Sequence, residues 1–243
     1  MNRVVFITGA SSGIGEQTAY LFAKAGFDLV LTYHKDEAGG LKVMQECRRL
    51  GAKEVLLLRL ELADDRIIEE TVQKSLSKFP KIDILVNNAA MIEHYFLRDA
   101  DFAAIDRLVQ ANLSGPLKLT SRLLPHVTQS IINIGSNLSI TGKKTLVVYG
   151  ATKSALRGFS RALEKEAPNL LIYTIHPPLT HTVMGSSEGL PPQKVAEIIV
   201  NAALRRYHAK SGSDIFVIDY LHGEFWSYVR SLLRPLKKLI IRS

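Results

Sequence analysis

A tyrosine and a lysine four residues apart, Tyr149 and Lys153 in the stretch YGATK, have the spacing and the chemistry of a proton-transfer pair. Residues i and i+4 lie one above the other on the same face of a helix. The lysine ammonium can lower the pKa of a phenol that otherwise keeps its proton up to about pH 10. Such a tyrosine can donate or accept a proton near neutral pH, as carbonyl reduction and alcohol oxidation require. The same pair also occurs by chance on solvated helix surfaces, so the rest of the chain must decide between the two interpretations.

A nucleotide-binding platform is predicted at the amino-terminal end. The apolar run Val4–Ile7 precedes the glycine-rich stretch TGASSGIG, and an apolar pattern of helical period follows it. Strand, glycine-rich turn and helix in this order form the context of a dinucleotide fingerprint, in which free N–H groups of the helix face the phosphates. We expect Gly9 to allow the tight turn, Gly13 to admit the pyrophosphate and Gly15 to permit close helix packing. The predicted cofactor contacts here are Gly9, Ser11, Ser12, Gly13, Ile14 and Gly15.

The tip of the second predicted strand, Asp28–Tyr33, favours NADP as the cofactor. A dehydrogenase that prefers NAD usually carries a carboxylate about 20 residues past the glycines to bind the ribose 2′-hydroxyl. This chain has His34 and Lys35 there, and their N–H donors and positive charge suit a 2′-phosphate, although Asp36 and Glu37 follow at once. Solvated turn residues are the alternative interpretation, and NAD stays open as the alternative cofactor.

Strand and helix patterns alternate along the chain, which predicts one α/β domain over 1–243. We expect a Rossmann-type, doubly wound parallel sheet of about seven strands with helices on both faces. The further predicted strands are 54–60, 82–86, 130–136, 170–175 and 215–218, and the predicted helices are 36–50, 64–78, 101–124, 149–166 and one opening at 191–192. At the strand tips we expect Glu61 and Leu62 beside an adenine and Asn88, Ala89 and Ala90 beside the ligand.

In this order, the motifs TGASSGIG, NNAA at 87–90 and YGATK make the chain resemble the short-chain dehydrogenase/reductase family from Val4 to about Thr182. The resemblance implies an enzyme that transfers a hydride between NAD(P) and a C=O or CH–OH group. It implies that Tyr149 transfers the proton and that Lys153 lowers the pKa of Tyr149 and holds the nicotinamide ribose.

Four further roles follow from the resemblance. Ser136, thirteen residues before Tyr149, matches the serine that orients the substrate, while Ser139 is out of register by three. Asn112 matches the asparagine that holds a water for proton relay. Beyond the sixth strand, the family shields the nicotinamide with a segment that this chain supplies as Pro177, Thr180 and Thr182, with Pro178 in place of the usual glycine. Residues 183–190 correspond to a short substrate lid.

Composition and charge limit the kinds of partner that we predict for the chain. The net charge of +8 is spread along the chain with a local excess at the C-terminus, so nucleic acid is not a predicted partner. The single cysteine lacks a neighbouring ligand-type residue, and no metal site is predicted. No apolar run reaches the roughly 20 residues that span a bilayer, and no signal peptide precedes the first strand. We therefore expect a cytoplasmic protein.

The last segment, 222–243, is predicted to be a C-terminal extension that forms a basic amphipathic helix. Apolar residues recur at intervals of three and four between 225 and 242, with arginines and lysines opposite. Such a helix either folds over the cleft or a neighbouring subunit, or lies on an anionic membrane as a peripheral contact. The family analogy also implies a homodimer or a homotetramer.

The segments expected to flank the reactive carbonyl are apolar, which favours a hydrophobic ketone or aldehyde and its alcohol as substrates. These residues are Met91, Ile92, Tyr95, Phe96, Leu138, Ile140, 146–148, Val183 and Met184. The predicted function is therefore an NADP(H)-dependent oxidoreductase. The alternative is a cofactor-binding regulator or scaffold without catalysis, because a fold does not guarantee activity.

Overall fold

The computed structural model describes residues 2–182, 185, 188–206 and 209–221, and the predicted amphipathic helix lies outside them. The described part contains one parallel sheet of seven strands in the order β3-β2-β1-β4-β5-β6-β7. The strands are β1 Val4–Ile7, β2 Asp28–Tyr33, β3 Val55–Arg59, β4 Ile82–Asn87, β5 Val127–Ile134, β6 Leu171–His176 and β7 Asp214–Phe216. The helices are α1 Gly13–Lys24, α2 Glu37–Arg49, α3 Asp65–Lys78, α4 Phe102–Val109, α5 Gly115–Leu123, α6 Leu138–Thr141, α7 Val147–Glu166 and α8 Pro192–Ala203.

The sheet is covered on both faces, which explains why its central strands are continuous apolar runs. One hydrophobic core joins the sheet to α1, α2 and α8, and a second joins the opposite face to α3, α5 and α7. Neighbouring strand residues alternate between the two cores, with Val5 and Ile7 in the first and Phe6 in the second. The strand order reverses between β1 and β4, and in such sheets the ligand crevice lies there, at the carboxyl ends of the strands. The predicted doubly wound fold is confirmed.

The single long helix expected over 101–124 is interrupted. A π-type turn, Gln110–Ser114, separates α4 from α5, and the Gly115 N–H bonds the Gln110 carbonyl. The interruption has a local cause, since Pro116 has no N–H to donate to the carbonyl of Asn112 four residues earlier. Turns of this type occur frequently at functional sites.

Two strand predictions were wrong at their ends. β5 begins at Val127 and ends at Ile134, so that Ser136 lies beyond the strand expected over 130–136. The chain turns there because the Ser136 hydroxyl accepts a hydrogen bond from the Leu138 N–H (3.2 Å) at the start of α6. β7 ends at Phe216, and residues 217–218, which we predicted as strand, are helical.

Candidate active site

Three of the predicted catalytic residues converge at the carboxyl end of β5. Tyr149 lies in the first turn of α7, and its phenol lies near the Ser136 side chain, which influences its pKa. One turn later, Lys153 is only 2% exposed, and its Nζ donates to the Ile134 carbonyl at 2.7 Å. The same Nζ lies 5.7 Å from the centre of the Tyr149 ring. The geometry therefore groups a phenol, a hydroxyl and an ammonium.

Burial has the largest influence on the pKa values in this group, and the lowering of the Tyr149 pKa by Lys153 stays a prediction. Burial raises the pKa of the Tyr149 phenol, and the Ser136 side chain opposes that shift. Burial lowers the pKa of the Lys153 ammonium to about 8. The interaction that lowers the pKa of Tyr149 in this structure thus comes from Ser136, while Lys153 is bound to the end of β5. A phenol with a raised pKa keeps its proton at neutral pH.

Asn112 lies in the π-type turn between α4 and α5 and is 1% exposed. Its amide oxygen accepts from the Met91 N–H at 2.7 Å, and its amide nitrogen donates to the Met91 carbonyl at 2.8 Å. These two bonds fasten the segment after β4 to the helix interruption. The Asn112 carbonyl has lost its usual α-helical partner because residue 116 is proline.

The glycine-rich turn fits a dinucleotide. Gly9 and Gly13 have φ of +63° and +61°, which favour glycine, and a Cβ on Gly15 would lie 2.2 Å from the Gly9 carbonyl oxygen. The Asn88 amide nitrogen donates to the carbonyls of Thr8 and Gly9 at 2.9 Å each. The turn is thereby fixed against the exit of β4 at the point where the strand order reverses. The amino end of α1 follows directly, as phosphate binding requires.

The remaining predicted cofactor contacts differ in exposure. Ser12 precedes α1 without a capping hydrogen bond from its side chain. Leu62 is buried. Gly115 packs closely on the Leu62 carbonyl, because a Cβ added to Gly115 would lie 2.2 Å from that carbonyl oxygen. Ser11, Ile14, Ala89 and Ala90 are half-buried.

The tip of β2 contains a contact between a histidine and a carboxylate that the sequence did not reveal. His34 Nε2 contacts a carboxylate oxygen of Glu61, and Lys35 is exposed beside it. Of the two carboxylates that follow, Asp36 caps α2 by accepting a hydrogen bond from the Gly39 N–H at 2.9 Å, and Glu37 lies near the Tyr33 phenol.

The segment after β6 returns to the glycine-rich turn. Pro177 is buried, and its carbonyl accepts from the Asn137 N–H at 3.1 Å. Thr180 is buried and bonds the Pro178 carbonyl at 2.9 Å. Thr182 reaches the turn itself, because a Cβ on Gly13 would lie 3.0 Å from its Cγ2. Of the two threonines that we expected near the nicotinamide, Thr182 is thus in contact with the cofactor platform.

The apolar residues predicted around the substrate divide into two groups. Phe96, Ile140 and Val147 are exposed by 49%, 57% and 49%, whereas Leu146 and Val148 are buried. Successive residues at the start of α7 point in different directions, and only Val147 of these three is directed outward. Val183 and Met184 lie outside the described residues.

Sequence reasoning missed two polar residues behind the site. His176 is fully buried at the end of β6, and Asp214 begins β7. One feature of the sequence could have pointed to His176: it ends a mostly apolar strand and directly precedes a proline. Its partner, 38 residues later, could not be read from the sequence.

Comparison with known proteins identifies the family. The model of the short chain dehydrogenase family matches residues 3–191, and the chain belongs to this family. Human dehydrogenase/reductase SDR family member 7 is 35% identical over 189 residues, which cover 72% of this chain and 55% of that protein. The chain thus spans about half the length of this relative and of its mouse counterpart.

Solved structures share the fold. A 3-ketoacyl-(acyl-carrier-protein) reductase from Brucella melitensis, complexed with NADH, is 26% identical with a TM-score of 0.80, covering 88% of this chain and 96% of that one. A short chain dehydrogenase from Burkholderia cenocepacia, in complex with NADP, is 23% identical with a TM-score of 0.83, covering 88% and 95%. Among the described residues, none of the helices combines the length and apolarity needed to cross a bilayer.

Proposed function

We propose that this chain is an NADP(H)-dependent oxidoreductase that interconverts an apolar ketone or aldehyde and its alcohol. The observation that carries the proposal is the grouping of Tyr149, Ser136 and the buried Lys153 at the exit of β5, beside a glycine-rich turn that fits a dinucleotide. Proton transfer and cofactor binding thereby share one end of the sheet.

Each side chain has a distinct role in the proposed reaction. A bound nicotinamide supplies or accepts the hydride. Ser136 donates a hydrogen bond to the substrate oxygen, and Tyr149 gives its proton to that oxygen in reduction and removes it in oxidation. The buried Lys153 adds a positive charge 5.7 Å from the centre of the Tyr149 ring and would hold the ribose of a bound nicotinamide cofactor. Asn112 offers a backbone carbonyl that can hold a relay water.

NADP preference is the proposal for the tip of β2. Lys35 is exposed there, and its ammonium supplies the positive charge that suits a 2′-phosphate, although the carboxylates of Asp36 and Glu37 follow it. The His34 imidazole already contacts Glu61, so a 2′-phosphate would compete with that carboxylate for the imidazole. The neighbouring structures contain NADH in one case and NADP in the other, and both cofactors are therefore compared in the test.

An apolar substrate is favoured by the exposed side chains of Phe96, Ile140 and Val147. We also propose that residues 1–243 form one domain, with 222–243 as an extension that contacts a second subunit or a membrane surface. A homodimer or homotetramer remains our proposal for the assembly.

Titration of the purified chain with NADPH and with NADH, followed by nicotinamide fluorescence, tests the cofactor assignment. We expect NADPH to bind more tightly, and Lys35→Ala to weaken NADPH binding about fivefold, as the loss of ~1 kcal/mol at an exposed ion pair implies, without changing NADH binding. The matched control is Lys53→Ala, an exposed lysine before β3, which should change neither. Tighter binding of NADH by the wild type, or an equal effect of Lys35→Ala on both cofactors, would contradict the assignment.

A further inference from the structure

The imidazole of His176 is held rigidly behind the candidate active site. The side chain is fully buried, and the ring stacks on Phe216 with centres 4.6 Å apart and planes 18° apart. Its Nε2 lies 3.0 Å from a carboxylate oxygen of Asp214. Stacking and the hydrogen bond together fix both the plane and the rotation of the ring.

Asp214 is a charged partner and not a neutral one. Arg157 and Arg161 donate to its second carboxylate oxygen at 2.9 and 2.7 Å. Burial alone would raise the pKa of Asp214, but hydrogen bonds from Arg157 and His176 lower it overall. Because an ionised carboxylate can only accept, Nε2 of His176 must carry a proton.

The other ring nitrogen faces the turn that carries Ser136. His176 Nδ1 lies 3.0 Å from the Ser136 carbonyl oxygen, 3.3 Å from the Ser136 backbone nitrogen and 3.1 Å from the Ser139 hydroxyl. A neutral ring accepts at Nδ1 from the N–H and the hydroxyl, and a charged ring donates to the carbonyl. Gly135 permits this approach, since a Cβ there would lie 2.6 Å from Nδ1.

The sheet itself does not hold Ser136. β5 ends at Ile134, and the backbone bond from Gly135 to the Ile175 carbonyl, 2.7 Å, comes before the serine. The imidazole contacts the backbone of the next residue, Ser136, whose hydroxyl accepts a hydrogen bond from the Leu138 N–H at 3.2 Å and lies near the Tyr149 phenol.

We propose that His176 is a positioning residue, oriented by Asp214, that fixes the backbone of Ser136 so that the serine hydroxyl meets Tyr149 and the substrate oxygen. This inference rests on the proposed function, because the contact of His176 with Ser136 is taken to serve the reaction at that site. A histidine that merely fills the core would be replaceable by any side chain that preserves the stability.

Two substitutions of His176 by an amide side chain test the roles of the two ring nitrogens separately. In His176→Asn, the amide reaches the position of Nδ1 and can pair with both the N–H and the carbonyl of Ser136. In His176→Gln, the amide reaches the position of Nε2 and keeps the bond to Asp214 only. Both variants lose the stacking on Phe216 and the hydrogen bonds of one ring nitrogen, and thermal unfolding measures whether their stabilities are equal.

The assay is reduction of 9,10-phenanthrenequinone, an apolar diketone, with NADPH. We expect His176→Gln to lose roughly 10- to 100-fold in kcat, as a displacement of about 1 Å does elsewhere, with the Kd for NADPH unchanged. We expect His176→Asn to recover most of this loss. Equal losses in the two variants, or wild-type kcat in His176→Gln, would overturn the positioning role.

Crystal structures of both variants keep this inference separate from the proposed function. If the wild type fails to reduce the diketone, the proposed function loses its support, and the position of the Ser136 hydroxyl still decides the present inference. Displacement of that hydroxyl from Tyr149 in His176→Gln, but not in His176→Asn, supports the role. An unmoved hydroxyl in both variants overturns it.

Discussion

Lys153 carries its ammonium group into the interior of the protein, where charge is costly. The side chain is 2% exposed, and its Nζ is bonded to the Ile134 carbonyl. Burial lowers its pKa from 10.5 to about 8, which corresponds to roughly 3 kcal/mol against the charged form. A side chain retained at such a cost fits a role in the reaction better than a role in stability.

The pH dependence of stability tests this burial. Below about pH 8, Lys153 is charged in both the folded and the unfolded chain. Between that pH and the ordinary lysine pKa, the unfolded chain holds the proton and the folded chain does not, so the free energy of unfolding rises with pH. Urea denaturation from pH 7 to about pH 10 should therefore show the wild type gaining stability relative to Lys153→Met. The exposed Lys81→Met should show no such trend, and a flat or falling difference for Lys153→Met would refute the burial argument.

At the scale of elements, the sequence predicts most where local pattern decides the structure. β1 and β2 have the predicted bounds because apolar runs followed by glycine or polar residues define them. The break at Gln110–Ser114 has a local cause in Pro116, and we did not anticipate it. The bonds between Asn112 and Met91, by contrast, join residues 21 positions apart. The contact of His34 with Glu61 likewise depends on a separate strand that brings Glu61 to the same edge.

The glycine-rich turn yields a prediction at this scale. Gly15→Ala should weaken NADPH binding strongly, because the added Cβ would lie 2.2 Å from the Gly9 carbonyl oxygen and must displace the turn. Gly158→Ala is the matched control, since no atom lies within 4 Å of its added Cβ and it lies within α7. The control should raise the free energy of unfolding by about 0.5–1 kcal/mol and leave NADPH binding unchanged. Fluorescence titration and urea denaturation of both variants make the comparison, and unaltered NADPH binding by Gly15→Ala would contradict the proposed cradle.

At the scale of the whole molecule, one edge of the sheet gathers every part of the proposed chemistry. The carboxyl ends of the parallel strands bring the glycine-rich turn, Asn88, Ser136 and Thr182 together from four separate stretches of the chain. The family resemblance anticipated these residues because their order and spacing are local features. The support behind them, from β6 and β7, comes from tertiary contacts that sequence periodicity does not encode.

The most direct test of the proposed function is the turnover of Tyr149→Phe with NADPH and 9,10-phenanthrenequinone. The change removes one hydroxyl from a half-buried ring, so the fold and the Kd for NADPH should persist while kcat falls about 100- to 10,000-fold. Tyr20→Phe, which removes a hydroxyl bonded to Glu16 on α1, is the matched control and should keep wild-type kcat. Wild-type turnover by Tyr149→Phe would show that the proton comes from another group and would contradict the proposed mechanism.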